Sequence, residues 1–284
     1  MNQKINFAFF GTPALTLVLL NTLKENNLLP SLIVTTPDKP QGRKLILTPT
    51  PTKLWAIEHN IPYLQPEKLD DAFIQDLAEK NFDLFVVVAY GKILPEKLID
   101  TPKFGTINVH YSLLPKYRGA TPVESAILGG DNETGVCIQK MQYKLDTGPI
   151  LAMDKLSIPA DIAAPALRDE LNQRASQMLP DVIRRYIAGE IVVTPQDDTL
   201  ATHSTKIEKE DGLLDPNGDP ILNDRKFRAY FGWPGSYFFV KVGDKNVRII
   251  IKDASLVEGK FTIKRVIPEG KKETDYSVFQ KSIL

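Results

Sequence analysis

The run Leu84-Phe85-Val86-Val87-Val88-Ala89-Tyr90, which follows Asp83, is apolar without interruption. A strand with one wet face alternates polar and apolar residues, whereas one covered on both faces reads as a continuous apolar run. This stretch is therefore a central strand of a sheet with helices on both sides. Downstream, Gly105–His110 (GTINVH) reads as a second short strand. Upstream, Leu69–Lys80 is amphipathic, Trp55–His59 sits in a short helix, and Ser31–Thr36 is a β-branched run. Ala14–Lys24 spaces its leucines and valine helically, and Lys4–Phe10 is an apolar run closed by Gly11-Thr12-Pro13. Strands alternating with helices require crossover connections, which gives an α/β class with a Rossmann-like, mostly parallel sheet. Ligands of such sheets lie beyond the carboxyl ends of the strands. Gly11, Tyr90 and His110 all fall at predicted strand ends of that kind.

Beyond this core, Ala163–Ala188 forms one long helical pattern closed by Gly189, and Ile191–Lys206 has few large apolar residues and reads as a linker. Ile207–Leu284 then shows short β-rich runs (Ser236–Val242, Asn246–Ile251, Lys260–Ile267) separated by Gly-containing turns, as in a small antiparallel barrel. The expected organisation is a domain at 1–190, a linker at 191–206 and a β-module at 207–284. A chain of 284 residues suits two domains. The single cysteine, Cys137, excludes an internal disulfide framework and a multi-cysteine metal site, and its apolar neighbours place it in a core. No apolar stretch approaches the roughly 18 to 20 residues of a membrane span, so the expected location is cytoplasmic, without a membrane partner. The net charge of +0 conceals a gradient: Asp154–Asp224 holds 7 Lys+Arg against 14 Asp+Glu, and Arg225–Leu284 holds 13 against 6. A basic C-terminal module is what contact with a polyanion calls for, although a solvated basic surface would look the same.

The densest segment is Asn108–Pro122 (NVHYSLLPKYRGATP). Asn108 and His110 lie two apart on a strand and so project to one face. An amide and an imidazole there can hold a developing oxyanion and move a proton. Asp146, in the turn Leu145-Asp146-Thr147-Gly148, offers a carboxylate to orient the imidazole. Each piece alone has a plain structural reading, as a strand-end histidine or an aspartate-led turn.

Taken together, the Asn108–Pro122 string and the Leu145–Gly148 turn resemble the folate-dependent formyltransferases, and among them the methionyl-tRNA formyltransferases. The likeness extends to Gly11-Thr12-Pro13, to the basic loop Pro37–Lys44, to Val87–Pro95, and in the C-terminal module to Lys206–Gly212, Arg228–Gly235 and Pro268–Lys272. It implies a Rossmann-like formyltransferase domain and a small C-terminal OB-like β-barrel. It also implies 10-formyltetrahydrofolate as donor, methionyl initiator tRNA as acceptor, no metal, and a monomer. Asn108, His110 and Asp146 would be the catalytic residues. Ser112, Leu113, Leu114 and Pro115, with Val88, Tyr90, Gly91 and Ile93, would border the folate. Lys39, Arg43 and Lys44 would contact the tRNA from the loop Asp38–Lys53, whose prolines at 40, 49 and 51 oppose regular structure. Tyr111 stands where that family carries glycine, which sets a bulky ring beside the histidine to crowd the pocket or wall the folate. The C-terminal module is shorter than usual for the family. A formyltransferase acting on a small amine, such as an amino-sugar nucleotide or glycinamide ribonucleotide, would share the same three catalytic residues.

Overall fold

Seven strands build the larger sheet, in the spatial order Ile150–Ser157, Glu133–Lys140, Thr106–His110, Leu84–Val88, Phe7–Gly11, Leu32–Val34 and Tyr63–Leu64. The computed structural model describes residues 5–42 and 44–283. Leu84–Val88 is buried along its whole length. It pairs in parallel with Phe7–Gly11 on one side and with Thr106–His110 on the other. Phe10, Phe85 and Val87 pack with Leu77, Phe82 and Leu98 into one core cluster. Each such side chain taken out of water contributes on the order of 1.5–3 kcal/mol, which is why the uninterrupted apolar run settles at the centre.

Two registers position the functional end of the sheet. Gly11 lies opposite Val88, and Val87 opposite Asn108, so three parallel strands end side by side. Thr106–His110 then pairs antiparallel with Glu133–Lys140, setting Asn108 across from Gln139 and His110 across from Cys137. The expected helix at 163–188 is observed as Ala164–Ile187. Gly189, at φ +73°, follows it in the left-handed conformation common just past a helix end.

The loop at 38–53 is more regular than its prolines suggest. Lys39–Gln41 pairs with Ile46–Thr48 in a hairpin, and Pro51 opens a helix, Pro51–Glu58. Pro40 is tolerated because a two-stranded hairpin has an open edge for a residue that lacks an N–H. Pro51 takes the first helical position, where that N–H has no partner to lose, and the Thr50 side chain accepts a hydrogen bond from the Lys53 backbone N–H. Asp38 anchors the base of the hairpin, accepting from Lys53 Nζ at 2.6 Å and from Gln65 Nε2 at 2.6 Å. The hydrogen bond from Lys53, then that from Gln65, hold its carboxyl below the ordinary 3.8. A lowered folded-state pKa stabilises the protein above the unfolded value and is lost as the pH falls through the folded one. The Tm gap between wild type and Asp38→Asn is therefore expected to be constant near neutrality and to close below pH 3.8. A gap that stayed independent of pH throughout the acid range would contradict this.

The described residues divide into two compact units, one drawn from Met1–Arg118, Gly135–Lys155 and Asp169–His203, the other from Gly119–Thr134, Leu156–Arg168 and Ser204–Leu284. The segments of the two units alternate along the chain. Hydrophobic patterning marks elements, whereas unit membership depends on long-range packing. In the second unit Tyr237–Val242, Lys245–Val257, Lys260–Pro268 and Thr274–Asp275 form an antiparallel sheet in that order. Phe238, Ile249, Val266 and Phe279 are among its core residues. Part of the C-terminal basic surplus is neutralised within the unit: Arg265 pairs with Glu273 at 2.5 Å and Asp275 at 3.3 Å. Among the described residues no helix is long and apolar enough to cross a membrane.

Candidate active site

Asn108 and His110 share one face of the strand Thr106–His110, at the point where parallel pairing gives way to antiparallel. The His110 ring is almost wholly buried, with Nε2 2.9 Å from the Tyr117 carbonyl oxygen and Nδ1 3.6 Å from Asp146 Oδ2. The second distance is ion-pair reach rather than a hydrogen bond, and such contacts tighten when substrate arrives. Asn108 is half-buried, and among the described residues its side-chain amide has no hydrogen-bond partner in the protein.

Asp146 itself sits at φ +52°, a left-handed conformation that costs a residue with a side chain on the order of 1–3 kcal/mol. Its surroundings hold it there. Gln139 Nε2 donates to Asp146 Oδ1 at 2.8 Å. Gln196 Nε2 donates to the Asp146 carbonyl at 2.9 Å and to the Gly148 carbonyl at 2.7 Å. The Gln196 oxygen in turn accepts from Arg118 Nε at 3.1 Å and Nη2 at 2.8 Å. Arg118 is 2% exposed and also donates to Asp198 Oδ1 at 2.6 Å. That hydrogen bond is the main cause of a lowered Asp198 pKa.

A cavity of about 100 Å³ opens beside Asp146, lined by Lys92, Ile93, Leu94, Gln139, Met141, Tyr143 and Leu145 among others. Ile93, Tyr143 and Leu145 are 85%, 67% and 63% exposed, an unusual concentration of apolar surface next to buried polar groups. Lys92 Nζ fixes one wall by donating to the carbonyls of Pro66 and Glu67 at 2.7 and 2.8 Å.

Residues 3–183 match the formyl transferase family. The methionyl-tRNA formyltransferase of Sulfurihydrogenibium sp. is 41% identical over 252 residues, covering 88% of this chain and 80% of that protein. The chain belongs to the methionyl-tRNA formyltransferase family. Solved structures agree on the fold. The methionyl-tRNA formyltransferase of Clostridium thermocellum superposes with a TM-score of 0.61 at 19% identity, covering 93% of this chain and 98% of that one. A sugar N-formyltransferase of Shewanella sp. gives 0.68 at 15% identity over 90% of this chain and 100% of that one. At such identities the superpositions speak for architecture alone.

Within this family member, the residues expected at the site divide into two groups. Asp146 and Ile93 line the cavity, His110 faces Asp146, Asn108 shares the strand face of His110, and Gly91, at φ +85°, turns the chain just before Ile93. The side chains of Val88 and Tyr90 are buried, and Tyr90 packs edge-on against Phe10 in the core, so these two can meet a ligand only through backbone. Ser112, Leu113, Leu114 and Pro115 do not line that cavity. The Ser112 hydroxyl donates to the Lys116 carbonyl at 2.6 Å, and Leu114 is buried. Tyr111 neither crowds nor walls the cavity. Its ring is buried, and its hydroxyl donates to Asn172 Oδ1 at 2.7 Å. Lys39 and Lys44 are exposed on the hairpin, and Arg43 lies outside the described residues. Three residues escaped sequence reasoning: Gln139, Gln196 and Arg118. Gln196 sits in the supposed linker, where a lone polar residue carries no signal.

Proposed function

We propose that the protein transfers the formyl group of 10-formyltetrahydrofolate to the free amino group of methionyl initiator tRNA, acting as a monomer in the cytoplasm. The observation that carries the chemistry is the pairing of the His110 imidazole with the Asp146 carboxylate, which lines an apolar-walled cavity, with the half-buried Asn108 two residues before His110 on the same strand face. A flat ring system needs apolar walls with few polar anchors, and Ile93, Leu94, Met141 and Tyr143 supply them.

The division of labour follows from the hydrogen bonds. A neutral amine attacks the formyl carbon, a new carbon–nitrogen bond forms, and the formyl oxygen becomes negative. Asn108, whose amide is uncommitted, donates to that oxygen. His110 Nε2 is held by Tyr117, which leaves Nδ1 and Asp146 as the pair through which the proton leaves the attacking nitrogen. As the tetrahedral centre collapses, the bond to the folate nitrogen breaks and that nitrogen takes up a proton. A carboxylate facing the ring stabilises the imidazolium that forms in between.

The hairpin is the part suited to tRNA. Leu45, Ile46 and Leu47 are 71%, 61% and 65% exposed at its tip, flanked by exposed Lys39 and Lys44. Lysines engage phosphates and position RNA without reading its sequence. Lys39→Ala and Lys44→Ala are each expected to weaken tRNA binding and reduce its salt slope by about 1. Unchanged slopes in both variants would remove the hairpin from the interface.

Formyl transfer should be measured with charged initiator tRNA, free methionine, an amino-sugar nucleotide and no acceptor. Product is expected with the charged tRNA alone. Transfer to the amino sugar but not to the tRNA would overturn the acceptor, and formate release without an acceptor would point to hydrolysis.

A further inference from the structure

Gln196 contacts the Asp146 turn through its amide, and the direction of that amide is fixed by its neighbour. Arg118 offers only donors, so the Gln196 oxygen must face the guanidinium and Nε2 must face away. The two hydrogens of Nε2 then meet two carbonyls, those of Asp146 and Gly148, at 2.9 and 2.7 Å. One amide therefore staples both ends of a three-residue turn whose first member is held at φ +52°. The guanidinium behind it is 2% exposed, and a buried charge is destabilising unless paired and hydrogen-bonded. Here Asp198 Oδ1 supplies the charge at 2.6 Å, and Gln196 accepts two further hydrogens. A buried arginine orients a glutamine, and the glutamine orients the carboxylate that faces His110.

We propose that Gln196 is a positioning residue for formyl transfer, clamped by Arg118 so that it sets the backbone of the Asp146–Gly148 turn and with it the placement of the Asp146 carboxylate. This rests on the role given to Asp146 under the proposed function. Gln196 is not itself among the residues lining the cavity; it reaches that lining through the Asp146 carbonyl at 2.9 Å and, more distantly, Gln139 Oε1 at 3.5 Å. The strain at Asp146 makes the staple consequential, since a residue in an unfavoured conformation relaxes once its restraint is removed.

Two substitutions separate donor from acceptor. Gln196→Ala removes both functions. Gln196→Glu keeps an acceptor for Arg118 but has no N–H for the carbonyls of Asp146 and Gly148, so it keeps the buried guanidinium hydrogen-bonded while releasing the turn. The expected result for Gln196→Glu is a folded protein with a lowered Tm, because two carbonyls lose their donor and face a carboxylate oxygen. Its KM for charged tRNA should stay within about twofold, and its kcat should fall by about 10²-fold, the scale of an ångström-level misplacement. In an Asp146→Ala background, Gln196→Ala should add no further loss, because the two act as one unit. A kcat near wild type in Gln196→Glu would overturn the proposal, as would losses from Gln196→Ala and Asp146→Ala that multiply. A crystal structure of Gln196→Glu reads the placement without any substrate. Asp146 leaving the left-handed region, with its carboxylate withdrawn from His110, is expected, and an unchanged turn would count against the clamp. If wild type itself failed to formylate the tRNA, the proposed function would fall, and this structural readout would still judge the clamp.

Discussion

Asn108→Ala is expected to lower kcat for formyl transfer by about 10²–10³-fold, the cost of removing one donor to a developing oxyanion, while leaving Tm nearly unchanged. The two halves of this expectation have separate causes. The amide is half-buried and has no protein hydrogen-bond partner among the described residues, so its removal orphans nothing. Its worth is realised only when a formyl oxygen becomes negative beside it. His110→Ala differs. That residue is 5% exposed, and its ring faces the Tyr117 carbonyl and the Asp146 carboxylate, so its loss removes one contact from each. It should cost about 1–3 kcal/mol of stability as well as about 10²–10⁴-fold in kcat. Rate and Tm measured together on the two variants therefore distinguish a group uncommitted before reaction from one built into the site. Near-normal turnover in either variant would refute its role, and a large Tm loss in Asn108→Ala would show a structural task that the hydrogen bonds do not reveal.

What could be read from the sequence depended on whether the signal was local. Leu84–Val88 was legible because double-sided burial writes itself as an unbroken apolar run. Ala164–Ile187 was legible because a long helix repeats its pattern many times. The strand Ile150–Ser157 was not predicted, since its burial is patchy and Asp154 and Lys155 interrupt its apolar character. The hairpin at 39–48 was masked by Pro40, whose cost depends on which edge its nitrogen faces, a fact of three dimensions. At the site, strand periodicity placed Asn108 and His110 on one face, and their expected catalytic roles came from the family resemblance. Asp146 needed the family resemblance, because an aspartate in a turn is commonplace. The supports of Asp146 lay beyond both routes: Arg118, Gln139 and Gln196 come from three separate stretches that only the folded chain brings together. Tyr111 shows the converse. Its size suggested an obstructed pocket, yet its ring is buried with the hydroxyl bonded to Asn172.

Gly148→Ala is expected to damage activity and stability together, although residue 148 carries no side chain to the site. A β-carbon there would lie 1.7 Å from the Lys140 carbonyl oxygen and 2.8 Å from its carbon, and both are backbone atoms within a strand. No rotamer change relieves such an overlap, so the turn must move away from the strand. Moving it strains two bonds that now fix it, Lys140 N–H to the Pro149 carbonyl at 2.9 Å and Gln196 Nε2 to the Gly148 carbonyl at 2.7 Å. Asp146 lies two residues upstream in the same turn, and a shift of about 1 Å is enough to cost about 10²-fold in rate. The stability loss should fall in the range of about 1–3 kcal/mol typical of a local backbone conflict. Gly212→Ala provides the comparison, since its β-carbon would lie 2.1 Å from the Gly235 carbonyl oxygen, in the second unit. That variant should lose comparable stability yet keep kcat at saturating tRNA below its unfolding temperature. If Gly148→Ala also kept its kcat there, the turn would be free to move without consequence, and the placement of the Asp146 carboxylate would not govern the reaction.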